Sequence, residues 1–99
     1  MNATTYERRK IINRIDTELR TISSVKHTEN SNYYRAIMQC IDNHGLYIGC
    51  KLTDEYNYNM TSKRNVYTLE LEGVEIDNRL IINEYWLNDN VIEVHAYTS

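Results

Sequence analysis

Residues 33–52 read YYRAIMQCIDNHGLYIGCKL, and how they are parsed decides how many strands the chain contains. Ala36, Met38 and Cys40 alternate with Arg35, Ile37, Gln39 and Ile41, a period of two. Leu46, Ile48, Cys50 and Leu52 alternate in the same way with Tyr47, Gly49 and Lys51. Asn43, His44 and Gly45 between them suit a three-residue hairpin loop with Gly45 left-handed. That loop would set Cys40 against Ile48 and Met38 against Cys50, collecting the strongly apolar residues on one face. Cys40 and Cys50 would then be diagonal neighbours, roughly 7–8 Å apart, and are expected as reduced core thiols.

Before this stretch, residues 5–24 predict one amphipathic helix. Ile11, Ile12, Ile15, Leu19 and Ile22 form its apolar stripe, and Thr4 with Glu7 forms a capping box. After it, residues 53–64 lack apolar alternation and predict a long loop. Tyr67, Leu69 and Leu71 alternate at odd positions and Val74 and Ile76 at even ones, so a β-bulge is expected at Glu72-Gly73. Asp77-Asn78 and Asn88-Asp89-Asn90 read as turns. The expectation is a single α+β domain over 1–99, an N-terminal amphipathic helix packed on a mainly antiparallel five-stranded sheet. Its strands fall at about 33–41, 46–52, 65–76, 79–87 and 91–97.

The composition sets the functional frame. Nine tyrosines, no phenylalanine and no proline leave Trp86 as the one aromatic residue without a hydroxyl. Ile, Leu and Val total 23, a thin supply for one core, so tyrosines such as Tyr34, Tyr67 and Tyr85 are expected to be partly buried. Rigid rings with one dry and one wet end are favoured where macromolecules meet. The net charge is -3, unevenly spread. Residues 1–35 carry seven basic and four acidic side chains; residues 36–99 carry four basic and ten acidic. No apolar stretch is long enough to span a bilayer, and residues 1–10 lack a signal pattern, so a cytoplasmic protein is expected.

No catalytic or cofactor motif stands in the chain. On the last hairpin, an Asp89-Asn90 loop would pair Glu84 with His95 and Trp86 with Glu93, with Tyr97 on the same face. That group reads as an acid–base cluster or as a solvent-facing row of ion pairs. His27, His44 and His95, with Cys40 and Cys50, lack the closely spaced ligand pair of zinc sites, and no metal or cofactor is expected. The predicted partner-binding residues are Tyr56 and Tyr58 in the polar loop, with Glu70, Glu72, Glu84, Trp86, Glu93, His95 and Tyr97 on the acidic part of the sheet. Arg8, Arg9, Lys10 and Arg14, extended by Lys63-Arg64, form the alternative, a basic face for nucleic acid.

In size, in its Asn/Ile/Tyr-rich composition and in its lack of catalytic motifs, the chain resembles small accessory proteins of phages and mobile elements, a class that includes anti-CRISPR-type inhibitors. The resemblance implies a non-enzymatic protein of the host cytoplasm that blocks a host protein, such as a nuclease, by occlusion. An open sheet and a lean core also leave a homodimer in view.

Overall fold

A computed structural model describes residues 5–88 and 90–99. Helix α1 spans Thr5–Ser23, as its single apolar stripe demands, and buries Ile12, Ile15 and Leu19. The Thr4 half of the capping box lies outside the described residues. Strand β1 (Lys26–His27) is followed by helix α2 (Tyr33–Asn43) and by strands β2 (Leu46–Tyr56), β3 (Ser62–Leu71), β4 (Val74–Asn88) and β5 (Val91–Thr98). The sheet order is β1-β5-β4-β3-β2 and every pairing is antiparallel. This is an α+β fold, with α1 against β5 and α2 against α1 and β2. Among the described residues no helix is long and apolar enough to cross a membrane.

The strand expected at 33–41 is a helix. Tyr33, Ile37, Cys40 and Ile41 recur at i, i+4, i+7 and i+8, and α2 buries all four on one stripe while Met38 stays exposed. Arg, Ala, Met and Gln favour the helix locally, and no glycine or proline opposes it. Gly45 does adopt the left-handed conformation (φ 80°), but just beyond the helix rather than within a hairpin loop. Its amide donates to Asp42 O at 3.0 Å, which satisfies an end-of-helix carbonyl. The five-stranded count survives through an exchange, because Lys26–His27, between the two helices, supplies the short β1 against β5.

Both cysteines are free, Cys40 buried in α2 and Cys50 exposed on β2. The expected core position of Cys50 fails because the β2–β3 register shifts between Ile48 and Lys51. Gly49 lies in that irregularity. A Cβ there would stand 2.4 Å from Thr68 Oγ1 and 2.7 Å from Glu70 Oε2, and Thr68 Oγ1 accepts the Cys50 amide at 2.7 Å. Gly49→Ala is therefore expected to lower stability by about 1–3 kcal/mol, through overpacking and a displaced Thr68 hydroxyl. A urea midpoint equal to wild type would remove that reading.

The long loop expected at 53–64 contracts to a hairpin tip at 57–61. Its polar residues are strand residues of a ribbon that is little buried, so they show no apolar alternation. Asn57 organises the tip, its Oδ1 accepting from the Asn59 and Thr61 amides at 3.1 and 2.8 Å. Lys51, Asp54 and Lys63 form an ion-paired row along the ribbon.

Bulge and turn trade places on β3 and β4. Glu72 and Gly73 both have positive φ (52° and 79°), the requirement of a two-residue hairpin turn, and Leu71 faces Val74 across it. Asp77 and Asn78 form no turn; they are the extra residues of a bulge between the pairs Leu69–Ile76 and Thr68–Arg79. On the last hairpin the register slips by one from expectation. Asn83 faces His95, Glu84 faces Val94, Tyr85 faces Glu93 and Trp86 faces Ile92. A one-residue slip exchanges faces, so Glu84 and Trp86 leave the proposed outer cluster for the helix side.

Candidate functional site

The helices cover one face of the sheet, and the chemistry divides accordingly. On the covered side Glu84 is buried at 4 % exposure. Its two carboxyl oxygens accept the hydroxyls of Tyr33 and Tyr34, and Asn65 Nδ2 donates to Oε1 at 3.2 Å and to Tyr34 Oη at 3.0 Å. The rings of Tyr33 and Tyr34 stack at 5.0 Å, and His27 tilts against Tyr33 at the same separation. Burial first, and the Glu84 hydrogen bonds second, push both tyrosine hydroxyls well above the ordinary value.

These hydroxyls must remain protonated in the folded protein. Their stabilising contribution is complete below about pH 10, the unfolded tyrosine value, and is lost as pH rises through the raised folded values. Stability is therefore expected to decline above about pH 10, and a Tyr33→Phe/Tyr34→Phe variant is expected to show a shallower alkaline limb. Identical slopes in urea titrations at pH 8–11 would contradict this.

The opposite face of β3, β4 and β5 carries no helix. Asn83, Tyr85, Leu87, Glu93, His95 and Tyr97 line a shallow hollow of about 440 Å3 there. Tyr85, Leu87 and Tyr97 remain 41 %, 48 % and 37 % exposed although they stand together. Tyr85 meets the His95 ring edge-on at 5.5 Å, and His95 Nε2 lies 2.7 Å from Glu93 Oε1. A second hollow of about 250 Å3 shares Asn83 and Tyr85 and continues to Tyr56, Lys63 and Arg64 at the ribbon. Lys63 Nζ sits 4.8 Å from the centre of the Tyr56 ring. Tyrosines of β2, β4 and β5 thus border one continuous relief, offering flat rings, amides and one imidazole–carboxyl pair, with the charges of Glu55, Lys63 and Arg64 at its ribbon end.

The structure gathers Tyr56, Glu93, His95 and Tyr97 around this relief, and leaves Tyr58 almost fully exposed at the hairpin tip. Glu84 and Trp86 face the other way. Glu70 and Glu72 lie toward the β3–β4 turn, beyond Val66, which is level with Tyr97 through Ile81, and neither lines either hollow. The acidic residues therefore do not form one surface. Asn83, Tyr85 and Leu87 were missed, because apolar residues occupy both parities of residues 80–87 and obscure which face is outer. Arg8 and Arg9 line a separate hollow of about 230 Å3 with Asp77 and Asn78, where the Asp77 carboxyl weakens the positive field. Lys10 and Arg14 are exposed on α1.

No protein-family model matches the chain, and no curated protein or solved structure shows significant similarity to it.

Proposed function

We propose that this is a non-enzymatic protein-binding module whose contact surface is the uncovered sheet face centred on Tyr85, His95 and Tyr97. The observation that carries the reading is the concentration of half-exposed Tyr85, Leu87 and Tyr97 in one hollow that continues to Tyr56. Packing within the chain does not require these side chains to stand together in solvent. Exposed aromatic and aliphatic groups of this kind serve as anchors in desolvated interface centres, while Asn83 and the Glu93–His95 pair supply orienting hydrogen bonds. The partner surface is expected to be largely uncharged at its centre, with a donor or basic group opposite Glu93.

The narrower role, a stoichiometric inhibitor that occludes a host protein such as a nuclease, is supported by composition alone. Nucleic acid held by Arg8, Arg9, Lys10 and Arg14 is the competing reading, and Asp77 beside Arg8 and Arg9 disfavours it. Capture from lysate with and without nuclease, at two salt concentrations, separates the two. Retention of the same protein after nuclease treatment, with a shallow salt dependence, is the expected result. Complete loss on nuclease treatment would overturn the proposal.

A further inference from the structure

Helix α2 assembles a group of side chains that a strand at the same residues would keep apart. Cys40 and His44 are four residues apart, so the last turn of α2 brings them to one side. Glu18 reaches them from α1. One carboxyl oxygen, Glu18 Oε2, lies 2.9 Å from Cys40 Sγ and 3.0 Å from His44 Nε2, and the three donor atoms all fall within 4.8 Å of one another. We propose that Glu18, Cys40 and His44 form a binding site for a zinc-class divalent ion at the α1–α2 junction.

The donor set is sulfur, nitrogen and oxygen, the combination that zinc accepts and that hard cations such as Mg2+ and Ca2+ do not select. Tetrahedral zinc, with bonds of about 2.0–2.3 Å, holds its ligand atoms roughly 3.3–3.7 Å apart. The present spacings of 2.9 and 3.0 Å are hydrogen-bond lengths. An outward movement of Glu18 Oε2 by about half an ångström, with Cys40 Sγ and His44 Nε2, now within 4.8 Å of each other, settling into the same range, makes the three atoms ligands of one ion. On binding, the Sγ–H proton leaves to solvent, His44 coordinates through Nε2, and no redox step is involved.

Accessibility suits an ion that exchanges with solvent. Cys40 is buried at 6 % exposure, whereas the side chains of His44 and Glu18 are 20 % and 53 % exposed. A hollow of about 330 Å3 opens beside Cys40 and Glu18, lined also by Thr21, Gln39 and Asn43, with room for water as a fourth ligand. Three protein ligands and one open position are the pattern of exchangeable or reactive zinc rather than of closed structural sites.

The test is Co2+ titration of the untagged protein, read by the thiolate-to-cobalt charge-transfer band, followed by Zn2+ displacement. Wild type is expected to saturate at one equivalent and to lose the band to zinc. Cys40→Ser is expected to abolish the band, and Cys50→Ser to leave it unchanged. His44→Ala and Glu18→Gln are expected to weaken the metal by at least about 10–100-fold, the range seen even for outer-shell changes. Both replace partly exposed side chains, so they remain informative should Cys40→Ser fold poorly. Absence of a band at one equivalent, or a band that depends on Cys50 instead of Cys40, would overturn the proposal. So would unchanged affinity in His44→Ala, which would leave the three residues as a hydrogen-bonded clamp between the helices.

Discussion

Glu84→Leu is expected to remove about 3–5 kcal/mol of unfolding free energy, the largest stability loss among the substitutions considered. The change takes the acceptor from three donors at once, the Tyr33 and Tyr34 hydroxyls and Asn65 Nδ2. A buried donor left without a partner costs about 1–3 kcal/mol. Relaxation and residual bonding between Asn65 and Tyr34 keep the total below three full penalties. Against the 5–15 kcal/mol typical of a small domain, the loss brings the protein near its folding threshold. Glu84→Gln keeps one acceptor oxygen and is expected to cost less, about 1–2 kcal/mol. Adding Tyr33→Phe and Tyr34→Phe to Glu84→Leu removes the orphaned hydroxyls and is expected to restore part of the stability, a non-additivity that urea unfolding reads directly. Simple additivity would mean that Glu84 and the two tyrosines are not energetically coupled.

The second large effect concerns binding. Tyr85→Ala and Tyr97→Ala are each expected to weaken partner affinity by about 2 kcal/mol, roughly 30-fold, if each ring fills a partner pocket. Both rings are about two-fifths exposed on a face without helices, so stability is expected to change by no more than about 1 kcal/mol. The Tyr85 and His95 rings touch, and the double variant Tyr85→Ala/His95→Ala is expected to be non-additive. Glu72→Gln, in the turn at the opposite end of the hairpin, is expected to leave affinity within about twofold, since a distant charge acts mainly on the association rate. Titration calorimetry against the captured partner checks these values. Equal losses from Glu72 and Tyr97 would point to a diffuse electrostatic interaction instead of an anchored one.

The chain shows its class more openly than its register. Helix α1 is legible because Ile12, Ile15 and Leu19 fit one period and no other. Residues 33–43 fit two periods. Cys40 lies on both the alternating and the helical stripe, and the choice is made by what lies beneath Ile37 and Ile41, a non-local fact. Strand β4 is ambiguous for a related reason. Leu80, Ile81 and Ile82 are all buried, so alternation does not identify the outer face. The Asp77-Asn78 bulge and the shift at Leu87, both within β4, then set the parity against β3 and β5. The candidate site was half visible for the same reasons. Glu93, His95 and Tyr97 share a face by simple period two, while their β4 neighbours depend on the bulged register.

What began as a tyrosine excess resolves into distinct uses. Tyr33 and Tyr34 hold the Glu84 carboxyl inside the protein. Tyr56, Tyr85 and Tyr97 border the exposed relief. The missing phenylalanines are consistent with this division, because at both locations a hydroxyl has a hydrogen-bonding environment to meet.

Site-specific photocrosslinking tests the central claim most directly. A benzophenone amino acid is placed at Leu87 on the open sheet face, or at Arg9 on the helix side, and each protein is irradiated in nuclease-treated lysate. The account predicts one discrete protein adduct from position 87, diminished by Tyr97→Ala, and none from position 9. An adduct from position 9 alone, or one from position 87 that is indifferent to Tyr97→Ala, would contradict it.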